Sequence, residues 1–220
     1  MIQILHRSPS WIAVEKPPGM LVIPGRIEED RASLRDEVSR QLQQRVWVVH
    51  RLDRDTSGIL LLALDAPAHR ALSIAFEAGR IEKKYWALVN GRVLKPLDLD
   101  LPLVEGRRHR MRPARAGERG KAARTLVRSI EVFRNASWIE AEPLTGRTHQ
   151  IRAHLAQAGH PLLTDPVYAR EGTGPEAVIA RTPLHAFRVS VRGIAGLSDQ
   201  EVESPMPSDM EAALARLRAE

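Results

Sequence analysis

Nine residues, His50-Arg51-Leu52-Asp53-Arg54-Asp55-Thr56-Ser57-Gly58, stand between two apolar runs at 46–49 and 59–64. No other stretch constrains the fold as much. Short runs rich in branched apolar residues read as buried strands. Two carboxylates and two guanidinium groups do not share that burial, so they belong to a turn held between rigid elements. Such a turn is where a fold can fix a reactive side chain. Arg51 and Arg54 can hold a neighbouring carboxylate ionised through opposite charge, as a nucleophile or base requires. The plainer alternative is an Asx turn or a surface ion pair. On spacing alone Asp53 and Asp55 are equivalent candidates. Thr56-Ser57-Gly58 reads as a capped turn. It does not suit an aspartic protease, which needs Gly directly after the hydroxyl residue and a second aspartate.

The rest of the chain supplies the frame. A short strand over 11–14 stops at Lys16-Pro17-Pro18-Gly19, a turn signal. Residues 24–30 read as loop. Ser33 is placed to cap a helix bearing Leu34, Val38 and Leu42 at four-residue spacing. A second helix opens at Asp65-Ala66-Pro67, with Asp65 as its cap, and stops at Gly79. Leu72, Ala75 and Phe76 form its apolar stripe. Residues 83–89 alternate, with Tyr85, Ala87 and Val89 on one face. Strands over 125–133 and 137–142 flank a turn at Asn135. A short helix over 149–158 closes at Gly159, a Gly-rich loop covers 170–175, and a strand covers 184–191. Ser208 and Glu211 read as a capping box for a last helix bearing Leu214 and Leu217. Many strands and few, scattered helices make an α+β pattern.

The 220 residues, 43% of them hydrophobic, suit a single domain over 1–220. Lys and Arg number 33 against 27 Asp and Glu, a formal net charge of +6. That balance favours a polyanionic partner, or simple solubility. Much of the excess falls within 105–124, where Arg107, Arg108, Arg110, Arg112, Arg115, Arg119, Lys121 and Arg124 face only Glu105 and Glu118. The stretch has no apolar periodicity and reads as a loop. Its like charges repel unless a polyanion neutralises them, so it is expected to be an RNA-gripping arm. Cysteine is absent, which excludes disulfides and thiolate metal sites. Residues 1–7 lack the apolar core of a signal peptide. No run approaches the roughly 20 apolar residues that span a bilayer. A soluble, cytoplasmic monomer without membrane contact is the expectation.

Three further features bear on chemistry. In Pro143-Leu144-Thr145-Gly146-Arg147-Thr148-His149-Gln150-Ile151-Arg152, Thr145-Gly146 makes a tight turn before a helix. The helix amides point at whatever lies above, a natural anion site with Arg147 at its mouth. Arg147 is either a surface arginine with a phosphate preference or a bidentate partner for the Asp53 carboxylate. Tyr85 follows Lys83 and Lys84. Its ring is either core or a platform on which a base stacks while the lysines hold phosphates. Trp86, facing the other way, reads as core. The histidines do not suit a metal. His149 and His154 project about 140° apart on a helix, and His50, His160 and His185 show no ligand spacing.

Four segments, in order, resemble RNA pseudouridine synthases of the RluA type. Ile12-Ala13-Val14-Glu15-Lys16-Pro17-Pro18-Gly19 resembles the first motif, which usually reads Asn-Lys-Pro, so Glu15 departs from it. His50 to Gly58 resembles the second motif, and the resemblance places the catalytic aspartate on Asp53. Lys84-Tyr85 matches the segment with the stacking tyrosine. Leu144 to Arg152, then Gly159-His160-Pro161 through Asp165 and Tyr168, resembles the third motif, with the aspartate-pairing arginine on Arg147. Leu184-His185-Ala186 matches a further short segment. Many relatives carry an N-terminal S4-type domain; here the first motif starts close to residue 1, so a catalytic domain alone is expected.

The resemblance implies an α+β domain around a long mixed, mainly antiparallel sheet with a few flanking helices. It implies isomerisation of a uridine in ribosomal or transfer RNA, without cofactor or metal. Asp53 would act as nucleophile or base on a flipped-out uridine, Arg147 would orient it, and Tyr85 would stack on the base. Arg51, Arg54, Arg107, Arg108, Arg110, Arg112, Lys121, His149 and Gln150 would contact RNA. A catalytically silent RNA-binding module and a metal-dependent nucleic-acid hydrolase are the alternatives.

Overall fold

The computed structural model describes residues 1–25, 32–107, 110–169 and 178–220. Arg108, the loop expected over 170–175 and most of the loop over 24–30 lie outside the described residues. The chain divides into two compact units. Met1–Lys83 and Ala186–Pro205 form the first; Lys84–His185 and Met206–Glu220 form the second.

The first unit begins with β1 (Ile4–Arg7) and β2 (Trp11–Lys16), then α1 (Leu34–Leu42), β3 (Trp47–Val48), β4 (Ser57–Ala63) and α2 (Ala66–Glu77). Strand β4 is buried along its whole length, as an apolar run with branched residues dictates. It pairs antiparallel with β2, from Trp11 opposite Ala63 to Lys16 opposite Gly58. Strand β3 pairs with its far end, at Leu62 and Ala63. Both helices start where their caps predict. The Ser33 side chain accepts from the Asp36 amide, and Asp65 Oδ1 accepts from the Ala68 amide at 2.7 Å. Each such cap is worth about 1 kcal/mol. Leu72 and Ala75 of α2 pack with Trp11, Ile59, Leu61 and Ala63 in one apolar cluster.

Strand β5 (Glu82–Asn90) has residues in both units, as does β11 (Leu184–Val191). Between them the second unit holds β6 (Leu97–Asp100), β7 (Leu103–Glu105), β8 (Met111–Pro113), β9 (Arg124–Val132), β10 (Ala136–Pro143) and α3 (Gln150–Gln157). Its strands run in the order β5-β10-β9-β6. The pairs β5 with β10, β10 with β9 and β9 with β6 are antiparallel. Back in the first unit, β12 (Gln200–Glu203) pairs antiparallel with β11. The chain ends in α4 (Ser208–Ala219), whose Met210, Ala213, Leu214 and Leu217 bury against Leu88, Phe133 and Ala136.

Several expectations need correction. The Ser208–Glu211 capping box does not form. Pro207 is the cap residue, and its carbonyl takes the Met210 and Glu211 amides at 2.9 and 3.0 Å. Ser57 and Gly58 belong to β4 rather than to a capped turn. The turn lies just before, where the Thr56 amide donates to the Asp53 carbonyl at 3.2 Å. The basic stretch at 105–124 is not a featureless loop: β7 and β8 pair as a hairpin, with Glu105 opposite Met111. No described helix is long and apolar enough to cross a membrane.

Candidate active site

In the first unit, Asp53 is half-buried in the segment between β3 and β4, and that segment is fastened at several points. At its start, His50 Nε2 accepts the Leu61 amide at 2.9 Å, and the imidazole stacks on Phe76 at 4.1 Å between centroids. Burial, reinforced by the nearby Lys83 ammonium, pushes the His50 pKa down to about 3. The ring is therefore neutral and carries its proton on Nδ1, since Nε2 is the acceptor. At its end, the fully buried Lys16 ammonium donates to the carbonyls of Arg54 at 2.7 Å, Thr56 at 2.8 Å and Pro17 at 2.8 Å. An ammonium has three N–H donors, and these carbonyls match them. A buried charge is tolerated only when hydrogen-bonded in this way. Lys16 thus ties the Asp53 segment to the end of β2 through main-chain atoms. A side chain carried on a backbone held this firmly keeps its aim.

Glu15, the departure in the first motif, has a physical role. Its carboxyl accepts from the Ser204 hydroxyl and from the Gly58 amide. Burial raises its pKa, and those two hydrogen bonds and Lys16 pull the other way. The carboxyl joins the start of β4 to the residue after β12. Arg51 and Arg54 are exposed.

In the second unit, Tyr85 lies on β5 and is 8% exposed. The lysines before it do not reach out for phosphates, contrary to expectation. Lys84 Nζ lies 3.5 Å from the Glu140 carboxylate, which Arg128 also forks at 2.9 and 2.7 Å. Lys83, the last residue of the first unit, is buried, and its ammonium sits 5.8 Å from the Phe76 ring centroid. Burial pushes its pKa down to about 8. Trp86 packs at the edge of Trp138 beside α4, as a core residue should.

Arg147 is exposed in the bend before α3. Its Nε donates to the Ala122 carbonyl at 3.0 Å. The Arg147 amide is not available to an anion: it donates to Gln150 Oε1 at 3.0 Å. His149 caps α3 with a left-handed φ of 52°, a conformation that costs a non-glycine residue free energy and concentrates at functional sites. Its Nδ1 lies 3.3 Å from the Tyr168 hydroxyl. Gln150, expected to face RNA, is 4% exposed, and its amide is consumed by internal partners.

The basic hairpin is docked on α3 through Tyr168. The Tyr168 hydroxyl accepts the Met111 amide at 2.9 Å, and Arg110 lies over the ring at 5.0 Å. Leu103, Ala123, Ala153 and Tyr168 bury together beneath it. Arg107, Arg110 and Lys121 are exposed. Arg112 instead forks Glu118 at 2.7 and 2.8 Å. That fork and the Arg115 amide hold the Glu118 carboxyl down at about 2. His154, far from a metal ligand, is fully buried between Thr125 and the Leu101 carbonyl. Among the described residues no cluster of three or more His, Asp or Glu side chains is arranged for a metal ion.

A family model described as RNA pseudouridylate synthase matches residues 10–157. The chain is 36% identical to the ribosomal large subunit pseudouridine synthase D of Nitrosomonas europaea, over 99% of this chain and 65% of that protein. It therefore spans less than two thirds of the length of that relative. It is also 36% identical to the dual-specificity RNA pseudouridine synthase RluA of Escherichia coli, over 86% of this chain and 85% of that one. Among solved structures, human RNA pseudouridylate synthase domain containing 1 matches with a TM-score of 0.79 and 26% identity, covering 100% of this chain and 96% of that one. The fold is that of pseudouridine synthases, and the chain belongs to the RNA pseudouridylate synthase family.

Proposed function

We propose that this protein isomerises a uridine in ribosomal or transfer RNA to pseudouridine, with the Asp53 carboxylate as nucleophile or base. The observation that carries this reading is the fastening of the Asp53 segment: two side chains, the buried Lys16 and the half-buried His50, hold its backbone at both ends. A reaction that breaks the N1–C1′ bond, turns the base and joins C5 to C1′ is internally balanced. It needs one aimed carboxylate rather than an electron carrier. In this reading Arg147 pairs with the Asp53 carboxylate and orients it, exchanging or sharing its contact with Ala122. Tyr85 stacks on the everted uridine. Eversion costs a few kcal/mol, and stacking at roughly 1–3 kcal/mol offsets part of it. The protein acts as a cytoplasmic monomer on RNA.

RNA tritiated at uridine C5 should release tritium on incubation with the protein in EDTA, as the C5 proton leaves when the new bond forms. Strict dependence on a divalent ion, or strand cleavage instead of release, would favour a hydrolase. RNA binding without release would favour a silent RNA-binding module.

The exposed residues of the basic hairpin supply the phosphate grip. Replacing Arg107 and Arg110 together by Ala should flatten the slope of log affinity against log salt by up to about 2, near 0.7–0.9 for each phosphate that is no longer neutralised. Arg112→Ala, which removes a residue engaged with Glu118, should change it less. Equal slopes for wild type and the double variant would remove the hairpin from the interface.

A further inference from the structure

Gln150 sits at the head of α3 with both ends of its amide in use. Its Oε1 accepts from the Thr145 hydroxyl at 2.6 Å and from the Arg147 main-chain amide at 3.0 Å. Its Nε2 donates to the Arg124 carbonyl at 3.0 Å and to Thr125 Oγ1 at 3.1 Å. Thr125 is fully buried and lies 2.9 Å from His154 Nδ1, while His154 Nε2 lies 2.9 Å from the Leu101 carbonyl.

Donor and acceptor roles along this chain of hydrogen bonds follow from its two ends. A carbonyl only accepts, so His154 carries its proton on Nε2. Burial lowers the His154 pKa, which keeps the ring neutral. Nδ1 is then an acceptor and takes the Thr125 hydroxyl proton. The Thr125 oxygen in turn accepts from Gln150 Nε2. The amide is thereby fixed with its oxygen toward Arg147. Reversing it would set its NH2 against the Arg147 N–H and its oxygen against the Arg124 carbonyl. The order runs from the Leu101 carbonyl to the Arg147 backbone with no free choice of orientation.

We propose that Gln150, backed by Thr125 and His154, is the positioning residue for Arg147: it fixes the main chain from which the guanidinium reaches out. This rests on the reading that Arg147 orients the catalytic carboxylate. It differs from the RNA contact that the sequence suggests for Gln150, because a buried amide with both ends engaged has nothing left to offer a phosphate or base.

The test uses Gln150→Leu, which keeps bulk and removes the amide, and Thr125→Val, which removes one hydroxyl at constant shape. Each is compared with Arg147→Lys and with the corresponding double variant. We expect kcat to fall about 30-fold for Gln150→Leu and several-fold for Thr125→Val, with KM for RNA unchanged within about threefold. On the Arg147→Lys background both effects should shrink to less than half their logarithmic size. The Arg147 Nε–H resonance, assigned by its absence in Arg147→Lys, should shift or broaden in both variants. If Arg147→Lys itself leaves kcat intact, the reading of Arg147 fails. If Arg147→Lys impairs kcat but the Gln150 and Thr125 effects are absent, or simply multiply with it, the positioning role fails. A rise in KM at constant kcat would return Gln150 to RNA contact. Should Gln150→Leu not fold, Thr125→Val and the Nε–H signal decide alone.

Discussion

Asp53→Asn should lower tritium release from uridine-labelled RNA by at least about 10⁴-fold, the scale expected when a covalent or proton-abstracting group is removed. The substitution changes one oxygen to NH2 and leaves the shape intact. The segment around it is held through main-chain carbonyls and the Leu61 amide, none of which the change touches. Because Asn keeps the shape of Asp and can still hydrogen-bond, melting temperature should stay within a few degrees of wild type. RNA affinity should stay within a few-fold, since the change leaves every proposed phosphate contact, Arg107 and Arg110 among them, in place. Single-turnover release, a thermal melt and a binding titration at one salt concentration read the three quantities separately. Release above about one hundredth of the wild-type rate would move the chemistry to another group, with Asp55 the first to examine. A fall in activity accompanied by unfolding would instead make Asp53 a fold residue.

What is legible in the sequence is what depends on neighbours. Ser33 and Asp65 cap their helices because the accepted amides lie three residues away. Strand β4 is plain because an unbroken apolar run has nowhere to go but the interior. The aspartate and the arginine stand out through long motifs, which also point to the family, whereas the tyrosine is marked only by the short Lys84-Tyr85 match. What stays hidden depends on partners far away in the chain. Strand β6 is four residues long, Leu97-Asp98-Leu99-Asp100, and its alternation becomes a strand only by pairing with β9. The hairpin β7–β8 is masked by charge: Arg112 and Arg124 read as free cations, yet they pair with Glu118 and Asp98. Gln150 reads as polar and therefore outward, but residues from Gln150 to Leu155 are all buried. A short helix sunk in a core has no polar face for periodicity to report. Lys16 is the same case. Nothing local says that its ammonium will meet two carbonyls some forty residues ahead.

The tightest of those distant constraints falls on Gly58. Replacing it by Ala should cost at least about 4 kcal/mol of stability, at the upper end for single substitutions. Two independent causes add. Its φ is +106°, which lies outside the region that residues with a Cβ adopt readily. An added Cβ would also stand 2.3 Å from the Ala186 carbonyl oxygen, 2.7 Å from its nitrogen and 2.8 Å from its carbonyl carbon. These are main-chain atoms of a strand, so no side-chain rotation relieves the overlap. Relief requires β4 and β11 to part. That movement would strain the Gly58 amide's bond to Glu15 and the Thr56 carbonyl's bond to Lys16, the contacts that aim Asp53. Any folded fraction should thus turn over more slowly than wild type, beyond its drop in stability. Gly146→Ala is the control, since nothing lies within 4 Å of a Cβ there and its φ is not in the left-handed range; its stability should change by less than about 1 kcal/mol. Urea unfolding of both variants makes the comparison. A cost for Gly58→Ala no larger than for Gly146→Ala would mean that β4 and β11 are not in the close contact that holds the Asp53 segment in place.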